Sequence, residues 1–141
     1  MDDILRNIKR SLIQSILNEL NNIHPALKFT IECEQNGRLP FLDLLIIRIA
    51  CRLYSTWYSK HMNTGLIMNY HAFAPRRYKR SVVSGFVYRI YNACSTWHYF
   101  SDSIEKAKQI LEKNQYPPSF YESIIEETLS TICKRKGRRS R

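Results

Sequence analysis

The stretch Asn36-Gly37-Arg38-Leu39-Pro40-Phe41-Leu42-Asp43-Leu44-Leu45-Ile46-Ile47-Arg48-Ile49 decides how this chain folds. Asn36-Gly37 is a strong hairpin signal, because both residues tolerate positive φ. Upstream, Leu27, Phe29, Ile31 and Cys33 alternate with Lys28, Thr30, Glu32 and Glu34. That period of two predicts a half-exposed strand entering the turn. Downstream, Leu39 to Ile49 is apolar on both faces and predicts a return strand lying deeper in a sheet. Pro40 is acceptable near the start of such a strand. A turn at Ala50-Cys51 then leads to a third strand over about Arg52 to Tyr58, where Thr56, Trp57 and Tyr58 have β character.

Helical patterns flank this meander. Ile4, Ile8, Leu12, Ile16, Leu20 and Ile23 recur at spacings of three and four, predicting an amphipathic helix over residues 4–23 that ends at His24-Pro25. Residues 59–75 read as a loop closing at Pro75. From Arg76 to about Cys94 the apolar set Val82, Val83, Phe86, Val87, Ile90 and Cys94 predicts a second helix. Asp102-Ser103-Ile104-Glu105 and Ser119-Phe120-Tyr121-Glu122 each resemble a capping box, opening helices with Ile104, Ala107 and Leu111, and with Ile124, Ile125, Leu129 and Ile132, inward. The tail from Lys134 has no apolar residue and is expected to be disordered. The fold class is therefore α+β: an N-terminal helix, a three-stranded antiparallel meander, then three helices. The units are 1–60, a helical part 61–133 and a basic tail 134–141.

At 141 residues and 44% hydrophobic, the chain has about one domain's length and enough apolar residues for a core. No stretch reaches the ~18 apolar residues of a membrane span, so no membrane partner is expected. Cys33, Cys51, Cys94 and Cys133 lack the short paired spacing of a zinc site, so free, mostly buried thiols in a reducing compartment are expected. His24, His61, His71 and His98 are scattered. No nucleophile arrangement and no glycine-rich phosphate loop is present.

Charge is the most informative feature. The net charge is +10, and residues 76–100 carry five basic groups and no acidic one. Residues 134–141 carry six basic groups, whereas residues 101–133 carry six acidic and three basic. Such polarisation suggests a polyanion partner that touches some parts of the chain and not others. Twelve of the 17 aromatics lie between Tyr54 and Phe100, interleaved with Lys60, Arg76, Arg77, Lys79, Arg80 and Arg89. Cations neutralise phosphates and rings stack on bases or sugars; Phe86, Tyr91 and Trp97, at helical spacing, are expected in the core instead. The last two helices satisfy a helix-turn-helix drawing. Glu122, Glu126 and Glu127 would repel phosphate, so packing rather than groove reading is expected of them. Asp43, among apolar neighbours, is expected to need an ion-pair or capping partner.

Several motifs recur in a recognisable order: L-N-N-I-H-P-A-L-K-F-T-I-E at 20–32, N-G-R-L-P-F-L-D-L-L-I at 36–46, S-T-W-Y-S-K at 55–60, N-T-G at 63–65, K-R-S-V-V at 79–83 and N-Q-Y-P-P-S-F at 114–120. This ordered set resembles the reverse transcriptases of Penelope-like retroelements, in the segment that completes the palm and continues into a helical thumb. Asp3 lies 17 residues before Leu20, so Met1-Asp2-Asp3-Ile4-Leu5 is similar to the end of a Y-x-D-D motif. The resemblance implies that Asp2 and Asp3 descend from magnesium ligands. It implies that Leu39, Pro40, Phe41, Leu42, Asp43 and Tyr58 belong to a primer-grip region, and that the Arg76–Arg80 cluster begins a thumb helix along a duplex. Gln115 stands where the family tends to have glycine, and Ala50-Cys51 where it has a polar turn.

Fingers, the upstream palm and the nucleotide pocket have no counterpart in this sequence. The expectation is therefore an inactive fragment, holding no cofactor of its own, although the intact family enzyme uses Mg2+. It would bind RNA–DNA hybrid or DNA duplex weakly through Lys60, Arg76, Arg77, Lys79, Arg80 and Arg89, and self-associate through uncovered palm surface. The alternative is a helix-turn-helix DNA-binding or protein-interaction module with no enzymatic role. Either setting would be intracellular, nuclear or cytoplasmic.

Overall fold

The computed structural model describes residues 3–60 and 64–139, with side chains described through Arg135. A 3-10 turn at Arg10–Leu12 leads into α1 (Ile13–Asn22). Three strands follow, β1 (Arg38–Phe41), β2 (Leu44–Ile49) and β3 (Arg52–Trp57), then α2 (Arg76–Ala93), α3 (Trp97–Lys113) and α4 (Pro118–Arg139). The α+β arrangement is the one expected: a helix, a three-stranded antiparallel sheet of order β1-β2-β3, and three helices.

Strand β3 is the one expected over about Arg52 to Tyr58, but β1 and β2 are drawn from other residues than expected. The run from Leu39 to Ile49 is not one strand. It folds back at Leu42-Asp43, pairing Phe41 with Leu44, Pro40 with Leu45 and Leu39 with Ile46. Leu42 takes a φ of 53° to make that two-residue turn. Asn36 and Gly37, at φ 51° and 74°, also turn the chain as the hairpin signal requires, but pair only Gln35 with Arg38. Residues 27–33 form no strand. The physical reason lies in Pro40. In a two-residue hairpin its pair with Leu45 is a non-hydrogen-bonded one, so the missing N–H faces the open edge of β1 and spoils that edge for a further strand. Glycine is required at position 37, because a Cβ there would lie 2.9 Å from the Arg48 carbonyl oxygen.

Helix starts differ too. Residues 4–9 are not helical: Arg6, Lys9 and Arg10 oppose the positive end of a helix dipole, and Lys9 offers no side-chain cap. Helix α3 begins at Trp97, capped by Thr96, whose hydroxyl accepts from the Tyr99 N–H at 3.3 Å. Asp102 and Ser103 therefore lie within it. Helix α4 begins at Pro118, where proline at the first position loses no intrahelical bond. Its helix continues to Arg139, so the basic tail is helical over most of its length rather than irregular.

The core belongs to the three long helices. Val83, Val87 and Ile90 from α2, Ile104, Ala107 and Leu111 from α3, and Phe120, Tyr121, Ile124, Ile125 and Ile132 from α4 are buried together. Strand β3 joins them through Trp57, whose ring meets Phe86 edge-on at 5.8 Å. Its outer edge enters the α2–α3 junction: the Ser95 N–H donates to the Ser55 carbonyl at 2.9 Å, and the Ser55 N–H to the Ser95 hydroxyl at 3.0 Å. Beneath, the buried Ser103 hydroxyl donates to the Tyr99 carbonyl at 2.7 Å and lies 3.1 Å from the Thr56 hydroxyl. No cysteine is fully buried: Cys33, Cys51 and Cys133 are exposed thiols on an arm, a turn and the far end of α4, and Cys94 is half-buried. Trp97 likewise lies on the surface, stacked edge-on against Phe100 at 5.3 Å, while Phe86 and Tyr91 pack on the core as expected. No described helix is long and apolar enough to cross a membrane.

Candidate nucleic-acid interface

The start of α2 gathers Arg76, Arg77, Lys79 and Arg80 into its first turns, with no acidic residue in the first turn and no capping side chain on Pro75. Cations at a helix N-terminus oppose the macrodipole, each by roughly 0.3–1 kcal/mol. The placement disfavours the helix and favours an anion, since exposed amide N–H groups and positive charge point the same way.

Aromatic rings hold three of these cations. The Arg76 guanidinium stands 5.5 Å from the Phe120 ring centre, Arg77 5.0 Å from Tyr78, and the Lys79 ammonium 5.2 Å from Tyr70. Tyr70, Tyr116 and Phe120 form one aromatic cluster at the α3–α4 connection, with Tyr70 5.4 Å from Tyr116 and 5.2 Å from Phe120. Among the described residues no carboxylate pairs with Arg76, Arg77 or Lys79. Arg80 differs, since its guanidinium donates to Glu127 of α4 at 2.6 Å. Arg89 also differs, lying 3.7 Å from Asp43. Asp43 is thus an exposed turn residue with a loose ion pair, not a buried carboxylate. Of the six expected contact residues, the structure brings three uncompensated cations together; Arg80 and Arg89 are partnered, and Lys60 stands apart beyond β3.

The expected primer-grip residues do converge. Leu39, Pro40 and Phe41 lie on β1, Leu42 and Asp43 in the turn, and the Tyr58 N–H donates to the Asp43 carbonyl at 2.8 Å. Beside them a cleft of about 500 Å³ opens between the end of β3 and α3, lined by Trp57, Tyr58, Ser59, Lys106, Gln109 and Lys113 among others. Lys106 and Lys113 were not singled out from the sequence. The signal was there: residues 106, 109 and 113 share one face of α3, while Glu105 and Glu112 share another. On that second face the Tyr121 hydroxyl donates to Glu112 at 2.7 Å.

A clamp fixes the cleft's edge to α3. Asn114, 3% exposed, donates from its amide to the Gly65 carbonyl at 2.7 Å and to the Ile110 carbonyl at 2.8 Å, and accepts from the Ile67 N–H at 3.2 Å. The Lys113 ammonium donates to the Thr64 carbonyl at 2.8 Å.

The exposed face of α4 carries Ser119, Glu122, Ser123, Glu126 and Glu127. Three of these five residues are acidic, and Glu127 among them is the partner of Arg80. Asp2 and His61 lie outside the described residues; Asp3 is exposed on non-helical chain. Among the described residues no group of three or more His, Cys, Asp or Glu is arranged to hold a metal. No curated protein and no solved structure matches the chain. Residues 66–126, spanning the loop through Tyr70, all of α2 and α3 and the first turns of α4, match the family model of the animal helix-turn-helix domain.

Proposed function

We propose that the chain is a DNA-binding module that engages duplex through phosphates, using Arg76, Arg77 and Lys79 at the start of α2 rather than the face of α4. The observation that carries the reading is the match of residues 66–126 to a helix-turn-helix domain whose first helix opens with three uncompensated cations. Helix-turn-helix folds bind DNA, and phosphate contacts position a protein without reading sequence. The lysines of the β3–α3 cleft extend the basic surface, and Tyr58 gives it a ring. An RNA–DNA hybrid, whose backbone carries the same charge, is a second ligand on this view.

A finer reading assigns the chain to the palm and thumb of a Penelope-like reverse transcriptase, without polymerase activity or a metal of its own, in the nucleus or cytoplasm. Its support is the ordered motifs, two of which meet in space: Asn114 of N-Q-Y-P-P-S-F binds Gly65 of N-T-G. Fluorescence anisotropy with duplex DNA, hybrid and single strand at low salt tests the proposal. Micromolar binding to duplex that is lost in the Arg76→Ala/Arg77→Ala/Lys79→Ala variant is expected. Equal failure on all three ligands would overturn it.

A further inference from the structure

Helix α1 has an apolar stripe of Leu12, Ile13, Ile16, Leu17, Leu20 and Ile23, yet none of its residues is buried. Leu12 and Ile23 are 48% and 68% exposed. The sheet has the complementary defect. By register, Leu39, Phe41, Ile46 and Leu53 share the face that carries Trp57, but none of the four belongs to the core, and Leu53 is 66% exposed. A helix stripe and a sheet face of this kind are the two halves of one layer contact.

Within one chain the two halves are held apart. Asn21, at the end of α1, accepts from the Phe29 N–H at 2.6 Å and donates to the Phe29 carbonyl at 3.3 Å, folding the connecting arm back on the helix. At the arm's root, Arg48 pairs bidentately with Glu34, its Nε donating to Oε2 at 2.9 Å and its Nη2 to Oε1 at 2.5 Å, and Gln35 bridges Arg38. Among the described residues, helix α1 makes no substantial contact with its own sheet.

We propose that a second copy of this chain covers both surfaces: each α1 lies on the sheet of the other, in a reciprocal two-fold dimer. Area supports two copies over one contact. Seven of the ten apolar residues of one helix-on-sheet contact are already half-buried, so at roughly 60 Å² for each side chain one contact removes about 600 Å² from water. Stable interfaces bury about 1,200–2,000 Å² in total. One contact falls below that range, while the two contacts of a reciprocal exchange reach its lower end. A two-fold arrangement also closes, since each chain supplies one helix and one sheet.

Sedimentation equilibrium of the full chain, from about 1 to 200 μM, tests this. The wild type should sediment as a concentration-dependent dimer. Ile16→Glu/Leu20→Glu should weaken dimerisation at least tenfold, and so should Leu53→Glu. Neither should alter the melting of the α2–α4 bundle, because none of these residues is in the core. A wild type monomeric at 200 μM, or a dimer unaffected by both variants, would each overturn the proposal.

Discussion

Gln115 shows what one backbone angle costs. Its φ is +66°, and the Gln115 and Tyr116 N–H groups bond back to the Glu112 and Leu111 carbonyls at 2.8 and 3.0 Å. That is a Schellman ending for α3, with Tyr116 and Leu111 buried against each other's turn. A left-handed residue with a Cβ carries a penalty that glycine avoids, so Gln115→Gly should raise stability by about 1 kcal/mol in thermal unfolding. The next residue carries a second cost: the Tyr116 hydroxyl is buried and has no hydrogen-bond partner among the described residues. Tyr116→Phe should therefore be neutral or stabilise by about 1 kcal/mol. Asn114→Ala should do the opposite, losing about 2–3 kcal/mol, because the loop amides and carbonyls it serves are left to partly buried surroundings. Tyr121 adds a pH limit. Burial, aided by its bond to Glu112, pushes its hydroxyl pKa up to about 12. The folded state holds that proton more tightly than the unfolded one, so the stabilisation is complete below pH 10. Roughly 2–3 kcal/mol should be lost between pH 10 and 12 in denaturant melts, and Tyr121→Phe should remove that slope. Gln115 could be flagged from the sequence as a non-glycine before Tyr-Pro; the Asn114 clamp could not, because its partners lie 47 and 49 residues away.

At the scale of elements, α2 and β3 were legible, whereas the other helix starts and the first two strands were not. The span of α2 follows from its apolar spacing almost to the residue, since a period set by the core survives in the sequence. The sheet was expected in the right place, with its third strand right and its first two wrong. Leu39 to Ile49 reads as one continuous strand because an apolar run has no period to mark a reversal, and Leu42 is not a turn-forming residue type. The capping boxes at Asp102 and Ser119 misled for a related reason: an S-x-x-E pattern within a helix looks the same as one at its start, and Thr96 and Pro118 fix the true ends. Charge was only partly legible on α2, because Glu127 and Asp43 come from distant elements to partner Arg80 and Arg89. If α4 packs rather than reads bases, Glu126→Lys should strengthen binding to all duplexes alike. A changed consensus after selection from random-sequence duplex would show that α4 enters the groove.

For the whole molecule, the described chain has a helical part with its own core, and the N-terminal half meets it mainly through β3, with Leu44 and the Arg89–Asp43 pair beside it. The hydrogen bonds of Ser55, Thr56, Ser95 and Ser103 make that seam. The helical unit is the part that matches the animal helix-turn-helix domain, and it carries the uncompensated cations. The central claim is that those cations, and not α4, hold duplex phosphate. The salt dependence of duplex affinity measures this most directly, since log K falls with log salt at about 0.9 per phosphate contacted. Replacing Arg76, Arg77 and Lys79 with alanine should flatten that slope by between two and three, roughly one for each lost contact. Glu122→Gln/Glu126→Gln should leave it unchanged. An unaltered slope in the triple variant, with its melting temperature intact, would contradict the account.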